Sequence, residues 1–167
     1  GGTDIVPMLA AGRASVSGVE SLVGSSGADT IVLRSGGTST KGQGGADAIT
    51  ASTGIDKLLY DTASDSGTGT SADTITGFNA GTATTAVDQL HLLGLVQGSL
   101  GFLGTSAFTS SGHTEVRAIS GSSYGSGLTA NDAVVQIDLD GNGVVDMEIK
   151  LLGTKAANID AGDFFTG

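Results

Sequence analysis

The strongest constraint on the fold is a nine-residue repeat that runs from Ser15 to about Thr68. Glycine holds the fourth position of five successive repeats, and the sixth position is usually acidic and the eighth usually aliphatic. In a chain with 29 glycines in 167 residues, five glycines on one phase arise by chance roughly once in ten thousand trials, and a fixed period marks a repeat fold. The glycines of this column are Gly18, Gly27, Gly36, Gly45 and Gly54.

Each part of the repeat has a physical role. Glycine adopts the positive φ that a tight turn needs and lets backbone carbonyls approach an ion. Aspartate supplies the charged oxygen that Ca²⁺ prefers. The aliphatic residue two places later points inward on a short strand and stacks on its neighbours. One repeat is then a turn plus a strand, and two repeats form one coil.

This geometry predicts two acidic columns, one on each side of the coil. Asp29, Asp47 and Asp65 fall in one column, where calcium could lie between successive carboxylates, with Gly27 and Gly45 in the turns. The other column carries Asp56, but a threonine interrupts it, so that side is expected to bind calcium weakly or not at all. A glycine-rich β-solenoid without ions is the alternative.

A family resemblance rests on residues 24–32 (GSSGADTIV) and 42–50 (GQGGADAIT). They resemble degenerate nonapeptides of RTX proteins, which are exported by bacterial type I secretion and bind calcium in a parallel β-roll. The resemblance implies a secreted domain, located outside the cell or at its surface, that meets the type I secretion machinery. It also implies folding on calcium after export.

Two further acidic residues follow the repeat. Asp73 lies in residues 72–78 (ADTITGF) and Asp88 in residues 87–93 (VDQLHLL). This pair of segments is similar to the one that closes the roll in serralysin-type proteases and in alginate epimerase modules. The resemblance implies a last ion at these two residues, and capping of strand ends is the alternative.

A second candidate calcium site lies between two predicted strands, residues 133–138 and 144–152, which should form a hairpin. The intervening loop places Asp138, Asp140, Asn142 and Asp146 at positions one, three, five and nine, with glycine at six. This is most of an EF-hand loop, without its bidentate glutamate and without flanking helices. The alternative is an ordinary acidic turn, since Asp, Asn and Gly favour turns on their own.

The same hairpin, together with the final Asp163-Phe164-Phe165, looks like the C-terminal domain of serralysin-type metalloproteases. In that family the Asp-Phe-apolar end is part of the export signal. The zinc motif H-E-x-x-H of the protease is absent from the sequence. Residues 121–125 match G-x-S-x-G, but no histidine follows them, so no catalytic residues are predicted.

Composition excludes several classes of function. The formal net charge of −10 argues against nucleic-acid binding, which needs a basic surface. The chain has no cysteine, so disulfides and thiolate metal sites are excluded and calcium is the expected cofactor. No apolar run reaches the ~20 residues of a membrane span. No N-terminal signal peptide is recognisable, which suggests that the chain is a fragment of something longer.

The sequence therefore predicts an all-β protein: a short parallel β-roll followed by an antiparallel β-sandwich-like cap. The expected divisions are residues 1–14, an N-terminal cap or linker; 15–73, the degenerate roll; and 74–167, the C-terminal β cap. The expected function is a non-catalytic calcium-binding domain of a type I secreted protein. The alternatives are a surface-layer or adhesin domain that self-associates through calcium, and a module that binds cell-surface polysaccharide.

Overall fold

The computed structural model describes residues 4–34, 37–81 and 87–167, so that Gly36 lies outside the described residues. Within these ranges the regular structure is almost entirely β, which confirms the predicted class. The one α-helix among them, α1, spans only Gly121–Tyr124. The strands are β1 Ile5–Pro7, β2 Arg13–Val16, β3 Ser21–Val23, β4 Thr30–Leu33, β5 Ser39–Lys41, β6 Ala48–Thr50, β7 Lys57–Leu59, β8 Asp73–Thr76, β9 Gln89–His91, β10 Gly101–Phe102, β11 Glu115–Ser120, β12 Ala133–Asp138, β13 Met147–Leu152 and β14 Phe164–Phe165.

The first nine strands pair in parallel and wind between two sheets. Among the described residues one sheet has the order β1-β3-β5-β7-β9-β14, and the other has the order β10-β11-β12-β13-β8-β6-β4-β2. Within the repeat, Ser21 pairs with Ser39, and Ser39 pairs with Lys57. Equivalent residues of adjacent coils are 18 positions apart, as for Asp29 and Asp47, so two repeats form one coil as predicted.

Stacked side chains from the eighth positions of the repeats, and from the paired positions of later strands, fill the interior between the sheets. Burial of each large aliphatic side chain stabilises the fold by roughly 1.5–3 kcal/mol, so the stacks hold the thin coil together. Thr40 replaces an aliphatic residue in one stack, and its Oγ1 is buried without a hydrogen-bond partner. The stacks are Leu22, Thr40, Leu58 and Leu90 in the first sheet, and Ile31, Ile49, Ile75 and Leu151 in the second.

The C-terminal strands continue the same two sheets. β12 and β13 pair antiparallel, which confirms the predicted hairpin, and β13 pairs parallel with β8 of the roll. Met147, Ile149 and Leu151 are fully buried on one face of the hairpin. β14 adds to the first sheet beside β9, also in parallel. Parallel pairing thus starts before the predicted roll, at β1, and continues beyond it.

The regular spacing changes after β7. Asp47 and Asp73 hold equivalent places in adjacent coils but are 26 residues apart, and the added residues form two 3₁₀ turns, Ala63–Asp65 and Gly69–Ser71. The longer turn begins at Tyr60, which stands where Gly42 stands one coil earlier. A Cβ atom at Gly42 would overlap the carboxylate of Asp47. A tyrosine therefore cannot occupy this position in the short turn, and the chain takes a wider one.

Candidate calcium-binding sites

One acidic column lies where the turns enter the second sheet and contains Asp29, Asp47 and Asp73. Oδ1 of Asp47 accepts a hydrogen bond from the backbone N–H of Asp29 at 2.8 Å, and Oδ1 of Asp73 accepts one from the N–H of Asp47 at 2.8 Å. The side chains of Asp47 and Asp73 thus each accept a hydrogen bond from the backbone of the equivalent aspartate in the preceding coil. A charged acceptor makes these hydrogen bonds stronger than neutral ones.

The second column shows the same arrangement, although a threonine interrupts its acidic residues. Oδ1 of Asp56 accepts the N–H of Thr38 at 3.0 Å, and Oδ1 of Asp88 accepts the N–H of Asp56 at 2.8 Å. Asp88 lies directly before β9, so it continues the column after a second long connection. Both sides of the coil therefore carry a ladder of carboxylate-to-backbone hydrogen bonds.

The second carboxylate oxygen of most ladder residues is bound within its own turn. Oδ2 of Asp29 accepts the N–H of Ser25 at 2.7 Å, Oδ2 of Asp56 accepts the N–H of Ser52 at 2.6 Å, and Oδ2 of Asp88 accepts the N–H of Asn79 at 2.9 Å. Oδ1 of Asp29 accepts the N–H of Gly12 at 2.7 Å, so in these three residues both oxygens accept hydrogen bonds from backbone donors. The buried Oδ2 atoms of Asp47 and Asp73 have no hydrogen-bond partner among the described residues.

The expectation that Asp65 stacks on Asp47 is wrong, because Asp73 takes that place. Asp65 lies in the first 3₁₀ turn, where its Oδ2 accepts the N–H of Asp61 at 2.8 Å and its Oδ1 accepts the hydroxyl of Thr62 at 2.8 Å. Nζ of Lys41 lies 3.5 Å from Oδ2 of Asp65. Burial raises the pKa of Asp65, but these donors and the Lys41 charge outweigh it and hold the pKa below 3.8. The extra residues after Tyr60 move Asp65 out of the column.

Gly27 and Gly45 allow successive turns to approach each other closely. Gly45 has φ of +121°, and a Cβ atom there would lie 2.7 Å from the backbone of Gly27 and Ala28. A Cβ atom at Gly27 would lie 2.9 Å from Cβ of Ala11 in the preceding coil. No other residue type fits such a contact without a shift of the backbone. Their proposed part in metal binding stays a prediction.

The carboxylates of the first column repel one another in a buried setting. Burial, together with the neighbouring charges of Asp29 and Asp65, raises the pKa of Asp47 from 3.8 to about 6. Burial and the charge of Asp47 raise the pKa of Asp73 from 3.8 to about 8. Burial also raises the pKa of Asp88, with a contribution from the charge of Asp56. A nearby cation would relieve this repulsion and lower these pKa values.

A separate acidic group lies in the loop between β12 and β13. One carboxylate oxygen from each of Asp138, Asp140 and Asp146 lies within 4.8 Å of the others. Oδ1 of Asp138 accepts the N–H of Gly141 at 2.8 Å, and Oδ2 of Asp146 accepts the N–H of Leu139 at 2.8 Å. Three converging carboxylates at the mouth of a hairpin are a donor set suited to Ca²⁺.

The fourth predicted ligand of this loop, Asn142, is part of its internal hydrogen bonding. Its Nδ2 donates to Oδ2 of Asp140 at 2.9 Å, and its Oδ1 accepts the N–H of Val144 at 2.8 Å. Gly141 and Gly143 have φ of +69° and +89°, which allows the loop to turn tightly enough for the carboxylates to converge.

Residues outside the loop also support it, and no sequence pattern indicates them. Oγ1 of Thr114 donates to the carbonyl of Leu139 at 2.8 Å, and the N–H of Gly112 donates to the carbonyl of Gly141 at 3.0 Å. These contacts come from the segment before β11, which no local pattern connects to the loop.

Glu148, on β13, makes its hydrogen bonds outside the acidic loop. Its carboxylate accepts the N–H of Gly69 at 2.7 Å, the hydroxyl of Tyr124 at 2.7 Å and Nε2 of Gln136 at 2.7 Å. Burial raises the pKa of Glu148, but these donors outweigh it and hold the pKa below its ordinary value. It therefore anchors the long turn after Tyr60 to the hairpin and does not take the place of the missing loop ligand.

Comparison with known families agrees with this architecture. Residues 10–164 match the family described as Peptidase M10 serralysin C terminal. No curated protein matches the chain. None of the helices in the described ranges is long and apolar enough to cross a membrane.

A parallel roll with two aspartate ladders and an acidic hairpin loop defines an RTX-type β domain. The family match covers most of the chain, and the chain belongs to the serralysin C-terminal family. It is thus a domain of the calcium-binding type found in type I secreted proteins.

Proposed function

We propose that this chain is a non-catalytic domain that folds on calcium after export from the cell. The observation that carries the proposal is the group of three carboxylates of Asp138, Asp140 and Asp146 within 4.8 Å of one another. Such a group repels itself until a divalent ion neutralises it, and the ion binds the folded state alone. Membership in a calcium-binding family supports the same conclusion.

The overall charge supports the folding switch. With a net charge of −10, the chain repels itself at low calcium and stays exportable, and millimolar calcium outside the cell favours the compact state. An ion that binds only the folded domain stabilises it by about 2.7 kcal/mol at a hundred times its Kd. The ladder residues Asp29, Asp47, Asp56, Asp73 and Asp88, with Gly27 and Gly45, are proposed as further contributors.

The test is calorimetric titration with Ca²⁺, with Mg²⁺ as the control ion, together with thermal unfolding in calcium and in EGTA. We expect Ca²⁺ to release or absorb heat and to raise the midpoint of unfolding. Asp140→Asn should weaken one binding step, because it removes one of the three negative charges that would hold the ion while leaving the buried backbone undisturbed. Asp61→Asn, an equivalent change at another exposed acid, should leave binding intact.

Identical unfolding in calcium and EGTA, with no heat of binding, would refute the proposal. The other predicted functions, a surface-layer or adhesin domain and a polysaccharide-binding module, stay predictions.

A further inference from the structure

The acidic loop between β12 and β13 contains a pair of residues with a chemistry of its own. Asn142 is followed by Gly143, and none of the other three asparagines in the sequence precedes a glycine. The backbone nitrogen of the residue after an asparagine can attack the side-chain Cγ, and glycine permits this approach because it has no side chain. Asn142 is also exposed, so solvent reaches the reacting atoms. The pair is therefore a candidate for deamidation.

Deamidation replaces the amide of Asn142 with a carboxylate and consumes a water molecule. The nitrogen of Gly143 gives its proton to a solvent base and forms a bond to Cγ of Asn142. The side-chain amide nitrogen takes up a proton and leaves as ammonia, which leaves a cyclic imide. Water then opens the imide at either carbonyl. Opening at one carbonyl gives aspartate, and opening at the other gives isoaspartate, in which the backbone is longer by a methylene group.

In the folded loop, hydrogen bonds hold each group that must move in this reaction. The N–H of Gly143, whose nitrogen must attack, donates to Oδ2 of Asp138 at 2.6 Å. The side-chain amide of Asn142 is fixed at both ends, since Nδ2 donates to Oδ2 of Asp140 at 2.9 Å and Oδ1 accepts the N–H of Val144 at 2.8 Å. Loss of the Gly143 proton would also place a negative nitrogen beside a carboxylate, which like-charge repulsion disfavours.

We propose that the Asn142-Gly143 pair is a site of spontaneous deamidation that the folded acidic loop protects. The bonds to Asp138 and Asp140 have charged acceptors, so each lowers the population of open, reactive loop by about tenfold or more. The modification therefore accumulates while the chain is unfolded and nearly stops once the loop has formed. This protection does not depend on bound calcium, because hydrogen bonds within the loop hold both residues.

The two products have different consequences for the loop, and this step rests on the proposed function, that the loop binds calcium. Aspartate at position five is accepted in calcium loops as asparagine is, so Asn142→Asp should retain calorimetric Ca²⁺ binding. Isoaspartate lengthens the backbone before Gly143 and displaces its N–H from Asp138. Chains that carry isoaspartate should therefore lose the binding step of the loop.

The test is incubation of the whole chain at neutral pH in calcium buffer, with and without urea, followed by peptide mapping by mass spectrometry. Circular dichroism shows which samples are folded. Replacement of the amide by an acid at Asn142 should be at least about tenfold slower in the folded chain than in urea. Asn158, which precedes Ile159, is the internal control in the same digest and should react far more slowly than Asn142 in urea.

Two variants separate the hydrogen bonds from the charge of the loop. Asp140→Ala removes the acceptor of the Asn142 side chain and should speed deamidation of the folded chain by about tenfold. Asp146→Asn also removes a negative charge but leaves the hydrogen bonds of Asn142 in place, and it should change the rate little.

Three results would overturn the proposal. They are equal rates at Asn142 in the folded and the urea-unfolded chain, a rate in urea no higher than that of Asn158, and equal acceleration by Asp140→Ala and Asp146→Asn. Protection of Asn142 in the folded chain without any heat of Ca²⁺ binding would instead refute the proposed function and leave this site in place.

Discussion

Substitution of Gly42 by alanine tests how the aspartate ladder depends on the turn glycines. The new Cβ atom would lie 3.0 Å from Cγ of Asp47 and closer still to its Oδ2. Overpacking of this kind costs about 1–3 kcal/mol. Moving the carboxylate also weakens its buried hydrogen bond with the N–H of Asp29, at a further cost of about 1 kcal/mol. We therefore expect Gly42→Ala to lower the free energy of unfolding by about 2–4 kcal/mol.

The matched control is Gly44→Ala in the same turn. A Cβ atom there meets nothing closer than 3.5 Å, so its effect should stay within about 1 kcal/mol and could be stabilising. The assay is urea unfolding in EGTA, followed by far-UV circular dichroism. In thermal unfolding the difference should be about 10 °C for a domain of this size. Equal effects of the two substitutions would refute the reasoning, since the clash at Gly42 would then have no energetic consequence.

Three further predictions concern buried carboxylates. Asp56→Ala removes the acceptor of two backbone amides, one of them buried. It should lower the free energy of unfolding by about 2–4 kcal/mol in urea, about twice the effect of Asp56→Asn. Equal effects would contradict the ladder. In EGTA, the protonated forms of Asp47 and Asp73 should contribute to the free energy of unfolding. This contribution should be complete below pH 3.8 and be lost as pH rises through about 6 and then about 8. Asp73→Asn should remove the upper part of that loss in urea unfolding from pH 4 to 9, and an unchanged profile would contradict it. Glu148→Ala should speed hydrogen exchange at the amide of Gly69 by about tenfold, and Glu148→Gln by less; no change would contradict the anchoring role.

The period of the sequence predicted the coil because every regular repeat obeys the same local rule. Gly45 and Asp47 lie where the spacing places them, and Ile31 stacks on Ile49 as an inward-facing strand residue should. Such a prediction holds only while the spacing is constant. The spacing changes at Tyr60, because a side chain at that position would collide with the carboxylate that a short turn encloses. Beyond that point the ladder continues at Asp73, which has no fixed phase with the repeat.

The hairpin was also predictable, since alternation and an Asp-Gly-Asn-Gly loop are local signals. Its position was not. That β13 lies beside β8, and that Glu148 binds Gly69, follows from pairings between residues far apart in sequence, which no local pattern encodes. The same holds for Thr114, which supports the acidic loop from another segment.

The buried carboxylates of the coil fall into two groups, which differ in whether backbone amides bind both of their oxygens. Asp29 and Asp56 have both oxygens bound to backbone donors, so they stabilise the coil whether or not calcium is present. Asp47 and Asp73 each keep one buried oxygen without a partner and need a proton or a cation. Calcium should therefore act on the coil chiefly where Tyr60 widens the turn.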